Sequence, residues 1–172
     1  MTNKVLIVID MQNDFVTGTL GSPAAQAIIP AIKAEIQKYL DNDGQVIYTR
    51  DTHNTDYLNT PEGKKLPVPH CIRGTDGWMI VPELDDVDNR LIINKPTFGF
   101  NAWDAVDGLE DAEIKLCGVC TDICVVSNAL IMKAVLPNAE ISIDPKLCAG
   151  TSVDAHNAAI TVMRSCQINI IE

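Results

Sequence analysis

An apolar stretch near the start of the chain, Val5-Leu6-Ile7-Val8-Ile9, decides the fold, and it ends at Asp10. Most of its residues are β-branched, and no polar residue interrupts them. This is typical of a β-strand buried on both faces, as in parallel sheets covered by helices on both sides. The stretch is too short for a signal-peptide core or a membrane span.

Strand and helix patterns alternate along the rest of the chain. Further strands are predicted at 45–49, 91–93, 114–118, 139–143 and 168–171. Helices are predicted at 22–40, 122–136 and 152–165, and Pro30 indicates that the first of them begins near that residue. The alternation predicts one doubly wound, Rossmann-like domain over residues 1–172, with three α/β/α layers around a mostly parallel sheet of about six strands.

The polar segment 50–78 is rich in proline and glycine, and a loop of this length in a compact domain is usually functional or disordered. The chain as a whole has 172 residues and a formal net charge of −10. This charge disfavours nucleic acid and anionic membranes as partners. With no export signal visible, the six cysteines are expected to be free thiols in a cytoplasmic, reducing location.

Polar side chains stand where the predicted strands stop. They are Asp10 after the first strand, Asp51 and His53 after the second, Lys95 after the third, Cys124 beyond the fourth and Asp144 after the fifth. Taken singly, an aspartate at a strand end is often a turn former or helix cap, Lys95 a surface residue and Cys124 a core thiol. Because the carboxyl ends of parallel strands share one edge of the sheet, we expect these side chains to converge.

Asp10, Lys95 and Cys124 suit nucleophilic acyl transfer. Helix dipoles and the Lys95 ammonium are expected to favour the Cys124 thiolate. Asp10 can accept the thiol proton and pass it to a leaving amine. The turn at 118–121 would aim backbone N–H groups at the developing oxyanion. A pairing of Cys124 with one of the histidines in segment 50–78 remains open.

Two sequence blocks resemble those of the isochorismatase-like cysteine hydrolases. They are V-I-D-M-Q-N-D-F at 8–15 and G-V-C-T-D-I-C-V at 118–125, with Lys95 between them in matching order and spacing. The resemblance covers nearly the whole chain, and it implies the isochorismatase-like hydrolase fold.

By this resemblance, Asp10, Lys95 and Cys124 form a catalytic triad. It further implies a cis peptide between Val119 and Cys120. The backbone N–H groups of Cys120 and Cys124 would then form the oxyanion hole.

Segment 50–78 is similar to that of the nicotinamidases within this family. In them, the residues corresponding to Asp51, His53 and His70 bind a divalent metal, usually zinc, with manganese or iron as alternatives. Glu62 is the first candidate for a further ligand, and Asp56 is the second. The implied reaction is hydrolysis of nicotinamide to nicotinate and ammonia, with the metal holding the pyridine nitrogen.

Aromatic residues supply the candidate walls of a substrate pocket. These candidates are Phe15, Trp78, Phe98 and Phe100, and core packing is the alternative for each. His156 is interpreted as a structural or surface residue, and Cys148 and Cys166 as core thiols.

Three other functions compete with a metal-dependent amidase. Cys117-Gly118-Val119-Cys120 is formally a C-x-x-C, as in a redox or zinc-thiolate protein. A non-catalytic binding protein could share the fold. A metal-free carbamoyl or ureido amidase would keep the trio, whereas a vinyl-ether hydrolase fits less well because isochorismatases lack the nucleophilic cysteine. Relatives often self-associate, so a dimer or tetramer is expected.

Overall fold

The computed structural model describes residues 2–88 and 90–171. Within them, six strands form one parallel sheet in the order β3-β2-β1-β4-β5-β6. The strands are β1 Lys4–Ile9, β2 Gln45–Asp51, β3 Leu91–Lys95, β4 Glu113–Val119, β5 Glu140–Ala149 and β6 Asn169–Ile170. The predicted doubly wound α/β fold is confirmed.

Six α-helices accompany the sheet in the described part of the chain. They are α1 Asn13–Val16, α2 Pro23–Ala27, α3 Ile29–Leu40, α4 Pro61–Lys65, α5 Val126–Val135 and α6 Val153–Ser165. The single helix predicted at 22–40 is divided at Ile28. Ser22 caps α2 by accepting a hydrogen bond from the N–H of Ala25, and Pro30 lies in the first turn of α3, where its missing N–H costs nothing.

The strand that decides the fold lies at the centre of the core. Residues 5–9 of β1 are all fully buried between β2 and β4, as their uninterrupted apolar pattern predicts. The strand order reverses between β1 and β4. Ligands of such sheets bind outside the carboxyl ends of the strands at this reversal, which is where Asp10 and the residues after Val119 lie.

The fifth strand is longer than predicted and runs to Ala149 instead of stopping at Asp144. Asp144 therefore lies inside β5, where its carboxylate accepts a hydrogen bond from the N–H of Lys146. The expectation that Asp144 belongs to the convergent group at the sheet edge is wrong. The residues that reach that edge from β5 are Ala149, Gly150 and Thr151.

Segment 50–78 is built from short ordered turns. It contains 3-10 turns at Tyr57–Asn59 and Asp76–Trp78 and the short helix α4 between them. The loop folds back on β2, because the N–H of His53 donates to the carbonyl of Cys71. Among the described helices, none has the length and apolarity required to cross a bilayer.

Candidate active site

The structure brings Asp10, Lys95 and Cys124 together at the carboxyl edge of the sheet. Lys95 Nζ lies 2.6 Å from Asp10 Oδ2 and 3.6 Å from Cys124 Sγ. Asp10 and Lys95 are fully buried, and Cys124 is 5% exposed. The three side chains come from the ends of β1 and β3 and from the turn after β4, so only the parallel sheet makes them neighbours.

Backbone conformation and one hydroxyl orient the Asp10 carboxylate. Asp10 has a left-handed backbone with φ of 51°, a conformation in which aspartate is enriched among non-glycine residues. Thr49 Oγ1 donates to Asp10 Oδ1 at 2.6 Å and accepts from the Asp10 N–H at 3.2 Å. One carboxylate oxygen is thus held by Thr49 and the other by Lys95.

Lys95 is a buried cation surrounded by acidic groups. Burial lowers its pKa, but the acidic groups around it, Asp10 first, outweigh burial and raise the pKa above its ordinary value. Lys95 Nζ also donates to the carbonyl of Thr97 at 3.2 Å. The side chain therefore stays protonated and presents a fixed positive charge to Cys124.

Burial and Lys95 act in opposite directions on the Cys124 thiol. Burial raises its pKa well above the ordinary value and Asp10 raises it further, while Lys95 lowers it. Lys95 thus favours the Cys124 thiolate, as expected, and burial opposes it. Burial likewise raises the pKa of Asp10, against the opposing charge of Lys95, which keeps this carboxyl suited to proton transfer.

The turn that carries Cys124 follows directly from β4. The cis peptide implied by the family resemblance is present between Val119 and Cys120. A π-helical turn, Thr121–Val125, replaces the first turn of the α-helix predicted at 122–136, and α5 continues from it. Gly118 just before this turn has φ of 114°, and a Cβ there would lie 2.1 Å from the carbonyl oxygen of Ile9.

A second polar cluster lies beside the trio. Asp51, His53, Glu62 and His70 each offer one ligand atom, and these atoms all lie within 4.8 Å of one another. Asp51 Oδ2 is 2.9 Å from His53 Nε2 and 3.5 Å from His70 Nε2. Glu62 Oε1 is 3.5 Å from His53 Nε2 and 3.9 Å from His70 Nε2. Asp56, the reserve candidate, is outside this cluster.

The chemistry of this donor set fits a divalent metal. Four atoms bound tetrahedrally at about 2.0–2.2 Å from one ion lie about 3.4 Å apart, close to the separations observed. His70 Nδ1 is 2.8 Å from the carbonyl of Val68, which turns Nε2 towards Asp51. Burial lowers the pKa of His70, but the hydrogen bonds to Asp51 and Val68 outweigh burial and raise it. The cluster therefore attracts positive charge at its centre.

Lys95 joins the two clusters, and members of both line one cavity. Lys95 Nζ is 3.6 Å from Asp51 Oδ1, a buried atom that has no hydrogen-bond partner among the described residues. The adjoining cavity has a volume of about 450 Å³. Asp51, Glu62, His70, Cys120 and Cys124 line it together with Phe15, Leu20, Leu66, Phe98, Ile123 and Thr151.

Two of the four predicted wall aromatics lie elsewhere. Phe15 and Phe98 line the cavity, whereas Trp78 and Phe100 do not. Trp78 Nε1 donates to Thr52 Oγ1, and the Arg50 guanidinium stacks 3.6 Å from its ring centroid. Phe100 packs edge-on against Trp103. The wall positions predicted for Trp78 and Phe100 are therefore wrong, because packing gives both rings other partners.

Sequence reasoning missed two residues that connect to the site. Gln12 is fully buried and bonds to the backbone of Asp51; its place within the block at 8–15 was the available signal. His156 Nδ1 lies 2.8 Å from Thr121 Oγ1, and a lone histidine in a helical pattern carries no signal for that contact.

The remaining cysteines do not form a second reactive centre in the described residues. Cys117 is fully buried in β4, and burial raises its pKa well above the ordinary value. Cys148 is buried as expected, but Cys166 is exposed, so its prediction as a core thiol is wrong. Helix α6 ends at Ser165, and the side chain of Cys166, the next residue, lies outside the core.

The doubly wound sheet with a polar site at its switch point places the chain among α/β domains with a ligand site at this edge of the sheet. A family model described as "Isochorismatase domain" matches residues 4–172. The chain therefore belongs to the isochorismatase family of hydrolases.

Individual relatives extend this comparison over the full length of the chain. It is 26% identical to the nicotinamidase/pyrazinamidase of Mycobacterium tuberculosis over 186 residues, covering 98% of each protein. It is 28% identical to the nicotinamidase of Schizosaccharomyces pombe over 211 residues, covering 98% of this chain and 93% of that one. The crystal structure of Pyrococcus horikoshii pyrazinamidase in complex with zinc matches with a TM-score of 0.85 at 25% identity, covering 99% of each chain.

Proposed function

We propose that the protein is a cysteine-dependent amidase that hydrolyses small heteroaromatic amides, with nicotinamide as the first candidate substrate. The observation that carries this proposal is the position of Lys95 Nζ, 2.6 Å from Asp10 Oδ2 and 3.6 Å from Cys124 Sγ. A base and a cation grouped around a thiol that lines the cavity are the parts that nucleophilic acyl transfer requires.

The first half of the reaction forms a thioester. Asp10 takes the proton from the Cys124 thiol as the sulfur attacks the amide carbonyl carbon. The backbone N–H groups of Cys120 and Cys124 receive the oxyanion, and Lys95 stabilises the negative charge that develops around the sulfur. Asp10 then donates its proton to the amide nitrogen, the C–N bond breaks, and ammonia leaves.

The second half regenerates the enzyme. A water molecule attacks the thioester carbonyl and gives one proton to Asp10. The C–S bond breaks, the acid is released, and the proton returns to the Cys124 sulfur. Asp10 thus acts as base and acid in turn, which its buried position and raised pKa support.

The second cluster would supply the site for a divalent metal. Asp51, His53, Glu62 and His70 would hold the ion, zinc first, with manganese or iron as alternatives. When bound, the metal supplies a Lewis-acid position for a pyridine or pyrazine nitrogen. Phe15 and Phe98 offer apolar contacts to the ring on the cavity wall. The names of the relatives, nicotinamidase and pyrazinamidase, support this substrate class, and the zinc in the Pyrococcus horikoshii structure supports the metal.

Ammonia release from a panel of amides tests the proposal. The panel contains nicotinamide, pyrazinamide, benzamide and a carbamoyl amide, with the metal content of the same preparation measured. We expect hydrolysis of the two ring-nitrogen amides, weaker turnover of benzamide, and about one equivalent of metal per chain. Turnover of the carbamoyl amide alone by a metal-free preparation would replace this proposal with a carbamoyl-type amidase.

The role of the thiol is tested with a matched pair of cysteine variants. Cys124→Ala should abolish turnover with all substrates, whereas Cys166→Ala, which removes an exposed thiol, should leave turnover unchanged. An active Cys124→Ala protein would end the proposal.

We further propose that residues 1–172 form a single cytoplasmic domain that self-associates as a dimer or tetramer. The alternation of strands and helices along the described residues supports one domain. Light scattering of the purified protein measures the association.

A further inference from the structure

The turn that carries Cys124 is held by the segment between β5 and α6. Thr121, the first residue of the turn, is fully buried, and its Oγ1 lies 2.8 Å from His156 Nδ1. The next residue, Asp122, accepts hydrogen bonds from the N–H of Thr151 at 2.8 Å and from its hydroxyl at 2.6 Å. Two consecutive side chains therefore fasten the turn to one neighbouring segment.

The packing between these parts is tight. A Cβ at Gly150 would lie 2.8 Å from Asp122 Oδ1 and 2.9 Å from His156 Cβ. Gly150 therefore lies between the turn and helix α6 with no room for a side chain. A shift of His156 would be transmitted to Thr121 because the two side chains are in direct hydrogen-bond contact.

The hydrogen bonds made by Thr121 and by Asp122 differ in their exposure to solvent. The Asp122–Thr151 bonds are exposed to solvent, where water can replace either partner. The Thr121–His156 bond is partly buried, so a lost partner leaves the buried hydroxyl of Thr121 without its hydrogen bond. The Thr121–His156 hydrogen bond therefore determines the position of the turn.

His156 has no direct chemical part in the proposed reaction. It is not among the residues that line the cavity with Cys124. Burial lowers its pKa, against the opposing charge of Asp122, which favours the neutral ring. A neutral imidazole bound to a hydroxyl can hold a position without supplying charge to the site.

We propose that His156 is a positioning residue, which through Thr121 sets the place of the Cys124 sulfur and of the backbone N–H groups that receive the oxyanion. The inference rests on the proposed amidase function. Oxyanion donors must stand within about 2.7–3.1 Å of the developing charge, and a displacement of about 1 Å costs about a hundredfold in rate. A small loosening of this turn therefore reduces the rate of the chemical step more than it reduces substrate binding.

Four variants test the inference by steady-state kinetics. His156→Leu removes the hydrogen bond, and His156→Asn places an amide where the ring Nδ1 lies. Thr121→Val removes the hydroxyl with little change in shape, and Asn157→Leu makes the same kind of substitution on the exposed neighbouring residue. We expect kcat to fall about tenfold to a hundredfold in His156→Leu and Thr121→Val, with KM within about twofold of the wild-type value.

Rescue and non-additivity separate positioning from a general loss of structure. His156→Asn should keep kcat within about threefold of wild type, and Asn157→Leu should match wild type. The double variant that combines His156→Leu with Thr121→Val should be no slower than the slower single variant. Wild-type kcat in His156→Leu, no rescue by Asn, or additive losses in the double variant would each overturn the inference. If His156→Leu does not fold, Thr121→Val and His156→Asn decide the question by the same criteria.

Thiol alkylation tests the inference without any substrate. Iodoacetamide modifies Cys124 and the exposed Cys166 in the same sample, and peptide mass spectrometry gives the ratio of their rates. We expect this ratio to change at least about threefold in His156→Leu and in Thr121→Val and to stay unchanged in Asn157→Leu. An unchanged ratio in both would overturn the inference. A wild-type protein that hydrolyses no amide but shows the altered ratios would refute the proposed function while supporting the positioning role.

Discussion

The side chain of Gln12 pairs with the backbone of Asp51 in both directions. Gln12 Nε2 donates to the Asp51 carbonyl at 2.9 Å, and the Asp51 N–H donates to Gln12 Oε1 at 2.7 Å. Gln12 Nε2 also donates to the carbonyl of Trp78 at 2.9 Å. Because Gln12 follows Asp10 by two residues, it ties the proposed general base to the strand end that carries a proposed metal ligand.

Gln12→Ala should weaken metal binding. Loss of the amide leaves the buried N–H and C=O of Asp51 without their partners, so the Asp51 carboxylate loses its fixed position. Substitution of a residue that orients a metal ligand typically lowers metal affinity about tenfold to a hundredfold, and we expect a decrease of that size. Competition with a chromophoric chelator measures it. Gln37→Ala, which removes an exposed hydrogen bond to Asp41, serves as the control, and equal affinities in both variants would contradict the role of Gln12.

Thr49→Val should move the acidic limb of the pH–rate profile to higher pH. Burial raises the pKa of Asp10, and the hydrogen bond from Thr49 opposes burial by stabilising the carboxylate. Without the hydroxyl, the pKa rises further, and the base is lost at a higher pH. The pH dependence of kcat/KM should show a shift of about one unit. Thr161→Val on the exposed face of α6 should leave the limb in place, and a shift of Thr49→Val to lower pH would refute the explanation.

Gly118→Ala should destabilise the fold by about 3 kcal/mol or more, because it combines an unfavourable φ with overlap against β1. Its φ is 114°, and the new Cβ would lie 2.1 Å from the carbonyl oxygen of Ile9. Gly74→Ala is the matched control, since Gly74 has φ of 83° and open space around it. It should cost only about 1–2 kcal/mol. Urea unfolding midpoints compare the two, and equal costs would show that the close approach to β1 is unimportant.

Glu35→Gln should reduce stability at pH 7 by no more than about 1 kcal/mol, and the effect should vanish in acid. Glu35 Oε1 accepts a hydrogen bond from Lys115 Nζ at 2.7 Å. Although burial raises the pKa of Glu35, the hydrogen bond and charge of Lys115 outweigh burial and hold it below its ordinary value. This contribution is therefore present above the unfolded pKa of about 4.3 and is lost as the pH falls through the folded value.

Chemical unfolding between pH 7 and pH 3.5 measures the contribution of Glu35. Glu110→Gln, at an exposed position, should show a difference close to zero across the same range. A penalty for Glu35→Gln that grows as the pH falls would contradict the assigned ion pair.

Features that depend on neighbouring residues were predictable. The buried strand β1 was found from five consecutive apolar residues, and the start of α3 near Pro30 followed from the fixed geometry of proline. The places of Lys95 and Cys124 at the sheet edge followed from the parallel strands that precede them. Asp144 was misplaced because a pattern of alternating residues does not show that β5 continues through Pro145 to Ala149.

Features that depend on side-chain packing were not predictable. Trp78 and Phe100 satisfied the same sequence criteria as Phe15 and Phe98, but packing turned them towards Arg50 and Trp103. The pKa of Cys124 depends on burial, which its own sequence neighbourhood does not reveal.

The amino-acid sequence alone determined the class of the fold and the residue types available at its edge, because strand and helix periodicity and the two blocks at 8–15 and 118–125 are local properties. Tertiary structure decided which of those residues touch. The contacts Gln12–Asp51, Lys95–Cys124 and Thr121–His156 join residues that are 39, 29 and 35 positions apart, and such pairs meet only after the sheet and its helices have packed.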